Sequence, residues 1–199
     1  MAKIAVIIGS LRTPQVGSTV ASWVLDIVKA QALPDLEFET VAIKDFNLPV
    51  FDEPVMPAMV TAENPLVQEH SKKWSAAIAS YQGYIFVIPE YNGGLAGGTK
   101  NALDYLFHEW PGKPLAIVSY GIQGGARAAE QLLYATETIM KVKVVEPRIN
   151  LPFTPVDIGA TVSGALGEQT QKDWVENGKK DEIIKALGEI KAVLDAHKA

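Results

Sequence analysis

The sequence predicts an α/β fold in which a doubly wound, five-stranded parallel sheet carries helices on both faces. Two observations predict it. Short apolar runs alternate five times with segments of helical periodicity, so successive strands need crossover connections. Most of the apolar runs are continuous, which is typical of strands buried on both faces. The length of 199 residues suits one such unit, and we expect residues 1–199 to form a single domain.

The first half of the chain predicts three strands and two helices. Residues 4–8 form a continuous β-branched run, and residues 36–43 alternate between apolar and polar. Residues 84–88 have the strongest strand pattern in the chain. Between these strands, two apolar stripes repeat at helical intervals: Val20, Trp23, Val24, Ile27 and Val28, then Val67, Trp74, Ile78 and Tyr81.

The second half predicts two strands and three helices. Residues 115–120 and 142–145 are the strands. Helical spacing marks three further segments: Leu103, Leu106, Phe107 and Trp110, then Leu132, Leu133, Ile139 and Met140, and finally Ile183, Leu187, Ile190 and Leu194. Residues 47–65 and 147–167 are rich in proline or glycine, and we expect both to be surface loops, which are often functional when long.

Five strands connected in this way fit the flavodoxin-like order 2-1-3-4-5. In such sheets a ligand binds beyond the carboxyl ends of the strands, where the strand order reverses between strands 1 and 3. The residues after strands 1, 3 and 4 are therefore the candidates for a binding site.

Composition excludes several classes of function. Lysine and arginine number 18 and aspartate and glutamate 23, and the formal charge of −5 argues against a nucleic-acid partner. Cysteine is absent, which excludes disulfides and thiol catalysis, so redox chemistry needs a bound cofactor or a metal held by ligands other than thiolates. The three histidines lack ligand spacing, and we expect no metal site. No apolar run suits a signal peptide or a membrane span, so we expect a cytoplasmic protein with no membrane partner.

The loop at residues 9–19 has the composition of a phosphate site. Backbone N–H groups at a helix start would converge there with Ser10, Ser18, Thr19 and the guanidinium of Arg12. It is neither a Walker A loop nor a Gly-x-Gly-x-x-Gly turn, and its hydroxyls suit a terminal phosphate monoester. The alternative is a helix capped by Ser18 beside a solvated Arg12.

Two further glycine-rich loops follow strands 3 and 4. Residues 89–98 include four glycines with Tyr91 and Asn92, and residues 119–127 offer a hydroxyl, an amide and further glycines. Glycine lets a backbone approach a flat ligand closely. Each loop alone could be an ordinary turn, but the three together predict a phosphate at one end of the site and a planar heterocycle between two loops.

These motifs resemble a known family. The matching segments lie between residues 3 and 145: Gly9-Ser10-Leu11-Arg12, Pro89-Glu90-Tyr91-Asn92-Gly93, Lys100-Asn101-Ala102-Leu103-Asp104, and Ser119-Tyr120-Gly121 with Gly124, Gly125 and Arg127. The chain resembles the NADPH-dependent FMN reductases of flavodoxin-like fold, which include NAD(P)H:quinone and azo-dye reductases. His108-Glu109-Trp110 before Gly112-Lys113-Pro114 is closest to the fungal quinone reductases.

The resemblance implies a set of cofactor-binding residues and no catalytic side chain. Ser10, Arg12 and Ser18, with Gln15 as a weaker candidate, would hold the FMN phosphate. The isoalloxazine ring would lie along Pro89, Glu90, Tyr91, Asn92 and Gly93, with Ser119, Tyr120 and Gly121 on its other side. The loop departs from many members because residues 13–16 lack the additional basic or small polar residue found there.

The resulting hypothesis is an FMN-dependent NAD(P)H oxidoreductase that reduces quinones, flavins or azo compounds by ping-pong hydride transfer. The resemblance also implies a homodimer, which we expect to involve Leu106, Phe107 and Trp110 at the end of the third helix, since their apolar surface exceeds what one covering helix needs. The alternatives are a non-enzymatic electron carrier or redox-sensing protein of the flavodoxin type, and a phospho-ligand binder without a redox role.

Overall fold

A computed structural model describes residues 1–197 and confirms the α/β class. Within that range the chain forms seven strands: β1 (Ala2–Ile8), β2 (Leu36–Ala42), β3 (Gly83–Tyr91), β4 (Gly94–Leu95), β5 (Pro114–Gly121), β6 (Lys143–Val144) and β7 (Ile149–Pro152). Seven α-helices accompany them: α1 (Val16–Lys29), α2 (Glu69–Ala79), α3 (Gly97–Asp104), α4 (Ala126–Leu133), α5 (Ile158–Val162), α6 (Glu168–Glu176) and α7 (Lys179–Ala196). None of the helices described here is long and apolar enough to cross a membrane.

The sheet order is β2-β1-β3-β5-β6, and these pairings are all parallel. The short β4 pairs antiparallel with the end of β3 and does not interrupt that order. The observed order therefore matches the predicted order 2-1-3-4-5. Strands β1 and β3 lie side by side at the centre, so the switch point predicted between them is present.

The fifth position in the sheet is shared by two short strands, which corrects the predicted single strand at residues 142–145. Strand β6 pairs with the beginning of β5, and β7 pairs with its end. The predicted surface loop at residues 147–167 is wrong in the same region, because it contains β7 and α5. Helix α6 has no counterpart among the predicted helices.

Two hydrophobic cores lie on opposite faces of the sheet, as a doubly wound fold requires. One packs α1, α6 and α7 against the sheet around Val24, Trp174 and Ile190. The other lies under α2, α3 and α4 and includes Trp74 and Leu132. Continuous burial of β1 and β3 on both faces explains why their sequences are apolar throughout.

Helix α3 ends at Asp104, whereas the apolar spacing predicted that it would continue to Trp110. Leu106 and Trp110 are nevertheless buried, because the irregular segment after α3 folds back onto the core. The surface expected for a dimer is therefore not exposed at these two residues. A smaller correction concerns α2, which begins at Glu69 and leaves Val67 exposed outside it.

Candidate active site

A cavity of about 250 Å³ opens at the carboxyl ends of β1, β3 and β5, where the fold predicts a ligand. We call it the cleft. Four parts of the chain line it: Ser10, Arg12, Pro14, Gln15 and Val16; Pro89, Glu90 and Tyr91; Tyr120, Gly121 and Ile122; Phe153, Ile158, Thr161 and Val162. Eight of the twelve predicted site residues are in this set, and Ser18, Asn92, Gly93 and Ser119 are not.

The first wall is the loop that enters α1. The Ser10 hydroxyl is buried, lies 2.9 Å from the Tyr91 hydroxyl and accepts the Arg12 backbone N–H at 3.3 Å. Helix α1 begins at Val16 and has no acidic residue in its first turn, so the positive end of its dipole is uncompensated. Ser18 is the third residue of the helix, which corrects its alternative interpretation as the N-cap.

The Gln15 amide connects several groups of this loop. In the orientation that matches its neighbours, it donates to the Ser10 carbonyl oxygen at 2.7 Å and accepts from Ser18 Oγ at 2.9 Å. Its oxygen also lies 3.0 Å from Lys44 Nζ. Ser18, although outside the cleft lining, is therefore tied to the loop through Gln15.

One buried hydroxyl tests whether this end of the cleft fits a phosphate. Tyr120 is 3% exposed, and its Oη has no hydrogen-bond partner in the described part of the chain. The Oη lies against the start of α1, since a Cβ added to Gly17 would be 2.5 Å from it. Burial raises the pKa of Tyr120 more than the nearby Ser10 hydroxyl and the Arg12 charge lower it, so the hydroxyl stays protonated at neutral pH and can donate. An unpaired donor beside a helix N-terminus and Arg12 fits an anionic oxygen of a bound phosphate monoester.

The second wall is a hairpin in which the end of β3 pairs with β4. Glu90 pairs with Leu95 and Tyr91 with Gly94 around a two-residue turn. The turn residues Asn92 and Gly93 have φ values of 49° and 74°, as a type I′ hairpin requires. They form the tip of the hairpin, outside the cleft lining.

Helix α4 braces this hairpin. The Glu90 carboxylate accepts the backbone N–H groups of Arg127 and Ala128 at 3.0 and 3.4 Å, and the Gln131 side chain accepts the Leu95 N–H at 2.7 Å. Glu90 therefore caps the N-terminus of α4 while lining the cleft. Its carboxylate has a structural function that the sequence did not indicate.

The third wall is the end of β5. Tyr120 and Gly121 line the cleft as predicted, but Ser119 is fully buried beneath them. Ser119 Oγ lies 2.8 Å from both the Gly124 carbonyl oxygen and Asn150 Oδ1, so its hydroxyl serves the turn and the neighbouring strand. Ser119 therefore shapes the loop from outside the cleft lining, and its predicted role in binding stays a prediction.

The fourth wall comes from the segment after β7, and no residue of it was predicted. Phe153, Ile158 and Val162 add apolar surface to the cleft. The segment is fixed at two points: Thr19 Oγ1 donates to the Gly164 carbonyl oxygen at 2.8 Å, and the Asp157 carboxylate accepts the Thr170 N–H at 2.6 Å. The signal available in the sequence was the length of the loop at residues 147–167, which indicated function without identifying residues.

Comparison with known proteins gives a consistent result. The family model described as NADPH-dependent FMN reductase matches residues 2–154. A relative from a Nectria species, an NAD(P)H-dependent FMN reductase, is 60% identical over 196 residues, which is 98% of both chains. Another, an NAD(P)H-dependent FMN reductase of Schizosaccharomyces pombe, is 42% identical and covers 75% of this chain and 74% of its own.

Solved structures agree on the fold. An oxidoreductase from Corynebacterium diphtheriae superposes with a TM-score of 0.65 at 18% identity, covering 97% of this chain and 96% of its own. At that identity the likeness supports the architecture alone. The family model ends at residue 154, whereas three of the four residues in the fourth wall of the cleft lie beyond it.

Proposed function

The chain belongs to the NADPH-dependent FMN reductase family, and from that premise we propose that the cleft holds FMN and that NAD(P)H and a quinone or similar acceptor use it in turn. The observation that carries the proposal is the unpaired Tyr120 hydroxyl beside the start of α1 and Arg12. When bound, FMN would supply two-electron transfer between a nicotinamide and an acceptor, for which this chain offers no side chain.

The residues divide into two groups by their chemistry. Ser10, Arg12, Gln15 and Tyr120 would hold the phosphate through hydroxyl, guanidinium and amide donors. Ser18 would contribute to the phosphate group through its hydrogen bond with Gln15. Pro89, Tyr91 and Gly121 would lie along the ring. Asn92, Gly93 and Ser119 contribute by fixing the hairpin and the turn after β5.

The open side of the cleft favours a flat, apolar acceptor. Ile122 and Val162 line it and are more than half exposed, so a planar ring entering the cleft would cover them. Quinones, free flavins and azo compounds all have this shape. If the two substrates bind to the cleft in turn, double-reciprocal plots of the steady-state rate should give parallel lines.

Two finer statements belong to the same proposal. The family resemblance leads us to expect a homodimer, and light scattering at micromolar concentration measures the oligomeric state. We do not assign the dimer interface to particular residues, because Leu106 and Trp110 are buried within the chain. We also expect the protein to act in the cytoplasm, where metabolism supplies NAD(P)H. Cell fractionation tests this location.

The deciding experiment is anaerobic titration of the purified flavoprotein with NADPH, followed by addition of a quinone. Bleaching of the flavin absorption and its return on reoxidation support the reductase. Flavin that NADPH leaves oxidised would instead favour an electron carrier. FAD as the released flavin, or no flavin affinity at all, would contradict the proposed cofactor.

A further inference from the structure

Lys44 lies beside the loop that enters α1, next to the cleft, although it belongs to a different part of the sequence. It follows β2 in a 3₁₀ turn formed by Ile43–Phe46. Strands β1 and β2 pair in parallel with Ile8 opposite Ala42. Ser10 lies two residues beyond the end of β1, and Lys44 lies two residues beyond the end of β2. The register of the sheet therefore brings a cation to the level of the loop that enters α1.

The Lys44 side chain reaches that loop through Gln15. Its Nζ lies 3.0 Å from the Gln15 amide oxygen, while the same amide donates to the Ser10 carbonyl and accepts from Ser18 Oγ. Lys44 also lines a shallow cavity with Leu11 and Thr13, next to the cleft but distinct from it. No carboxylate within residues 1–197 forms an ion pair with Lys44, so its charge is available to the loop.

Charge balance gives this placement a consequence. A phosphate monoester carries about −1.5 to −2 charges at pH 7. The loop itself provides one cation, Arg12, and residues 13–16 provide none. One guanidinium and a helix N-terminus, which is equivalent to roughly half a charge, leave part of the phosphate charge uncompensated.

We propose that Lys44 is the second cation of the phosphate site and a positioning residue that acts through Gln15. Its ammonium group fixes the Gln15 amide, which in turn orients Ser10 and Ser18, and it adds positive charge behind the bound phosphate. This inference rests on the proposed function, because it requires that the phosphate of FMN occupy this end of the cleft.

The test compares FMN with riboflavin, which has the same ring and no phosphate. Both are titrated into the flavin-free full-length protein, with flavin fluorescence as the signal. We expect Lys44→Met to weaken FMN binding about tenfold at about 0.1 M salt and to leave riboflavin binding unchanged. Lys44→Arg should retain most of the FMN affinity, and the effect of Lys44→Met should shrink in 0.5 M NaCl.

The matched control is Lys29→Met, which removes the same charge from the exposed far end of α1. That helix has 14 residues, or about 20 Å of length, which is roughly two Debye lengths at 0.1 M salt. We expect FMN affinity to be unchanged in this variant. A double-mutant cycle of Lys44→Met with Gln15→Ala should be non-additive, since the two side chains act as a unit.

Three results would overturn the inference. If Lys44→Met leaves the FMN affinity unchanged, the charge of Lys44 does not contribute to binding of the phosphate. An equal loss of FMN and riboflavin shows a structural role without relation to the phosphate. If the wild-type protein binds neither flavin, the proposed function itself fails, and that outcome is distinct from the first two because it needs no variant.

Discussion

Among the hydroxyl groups around the phosphate end of the cleft, two are paired and one is not. Ser10 and Tyr91 satisfy each other at 2.9 Å, whereas Tyr120 Oη has no partner among residues 1–197. A buried donor without a partner destabilises the fold by about 1–3 kcal/mol. Its retention is explained if the hydroxyl binds a ligand, and that explanation can be tested by one substitution.

We predict opposite effects of Tyr120→Phe on stability and on binding. Without FMN, the variant loses no hydrogen bond, so its melting temperature should be equal to or above that of the wild type. FMN affinity should fall about tenfold or more, because a hydrogen bond to a charged group is lost. Thermal unfolding with and without FMN measures both effects. A variant that melts lower without FMN would show that the hydroxyl serves the fold.

Arg12→Ala should weaken FMN binding by about 10- to 150-fold, corresponding to roughly 1.5–3 kcal/mol for a charge-assisted hydrogen bond. Arg12 is exposed, and within the described chain its only hydrogen bond is made by its backbone N–H, so the fold should be unaffected by loss of the guanidinium. Arg12→Lys is the control that keeps the charge and should lose less. Equal affinity for FMN in the wild type and Arg12→Ala, by fluorescence titration, would make Arg12 an ordinary surface residue.

No single acid–base side chain should be essential for turnover. Glu90→Gln and His108→Ala should each lower either half-reaction by at most about tenfold, well below the 10²–10⁴ expected for a lost general acid or base. Glu90 serves as the cap of α4, and His108 is exposed after the end of α3, away from the cleft lining. Stopped-flow reduction by NADPH and reoxidation by a quinone measure the two steps separately. A thousandfold loss with FMN still bound would identify a proton donor.

At the scale of elements, the hairpin of β3 and β4 shows what composition alone could not predict. The glycines at residues 93–98 gave no indication of strand pairing, but the loop is held by the pairing of β3 with β4 and by contacts with α4. The contacts that fix it come from Arg127, Ala128 and Gln131, about 37 residues away in sequence. Local sequence predicts the turn, while the partner that makes it rigid depends on tertiary packing.

Gly93→Val should destabilise the protein by about 1–3 kcal/mol through backbone strain. The φ of Gly93 is 74°, which a β-branched residue adopts poorly, whereas the space around its Cβ position is open apart from Arg127 Cδ at 3.8 Å. Strain, rather than a clash with a bound ring, is thus the reason. Asn92→Gly, which keeps the same turn, is the control. Denaturant unfolding of both variants checks this, and a Gly93→Val midpoint equal to that of the wild type would contradict it.

The segment after β7 marks the limit of prediction at this scale. Its strand and helices are short, and their apolar residues follow no sustained period, so residues 147–167 resembled a loop. Its structure depends on anchors elsewhere, such as Thr19 for the Gly164 carbonyl and the N-terminus of α6 for Asp157. The sequence contains these residues but does not show that they meet.

For the whole molecule, the strand order and the position of the cleft could be predicted because both follow from general rules. Crossover connections impose parallel pairing, and parallel pairing brings the carboxyl ends of β1, β3 and β5 to one edge. Leu106 and Trp110 are not available for the expected dimer surface, because apolar spacing cannot distinguish a helix face from an irregular segment packed on the core. The predicted binding roles themselves remain predictions, which the variants above test.

Acid should unfold the whole molecule because several carboxylates have a lower pKa in the fold than in the unfolded chain. Burial raises the pKa of Glu53, but hydrogen bonds from the N–H groups of Val67 and Gln68 help to lower it. The lowering effects together are larger, so the pKa lies below its usual 4.5. Hydrogen bonds from Lys3 and Tyr81 likewise lower the pKa of Glu39. A lowered pKa stabilises the fold above the unfolded value, and that stability is lost as pH falls through the folded value.

The free energy of unfolding should therefore be nearly constant from pH 7 to about 5 and fall steeply below about 4.5. Glu53→Gln should be less stable than the wild type at pH 7 by roughly 1.5–3 kcal/mol, since hydrogen bonds to a charged acceptor at the start of α2 are weakened. It should also lose less stability between pH 6 and pH 3, because it cannot take up the proton. Glu137→Gln, at an exposed site, should follow the wild type at every pH. Urea unfolding at a series of pH values measures the free energy of unfolding of each variant. If this free energy depends on pH in the same way for Glu53→Gln and the wild type, Glu53 does not drive acid unfolding.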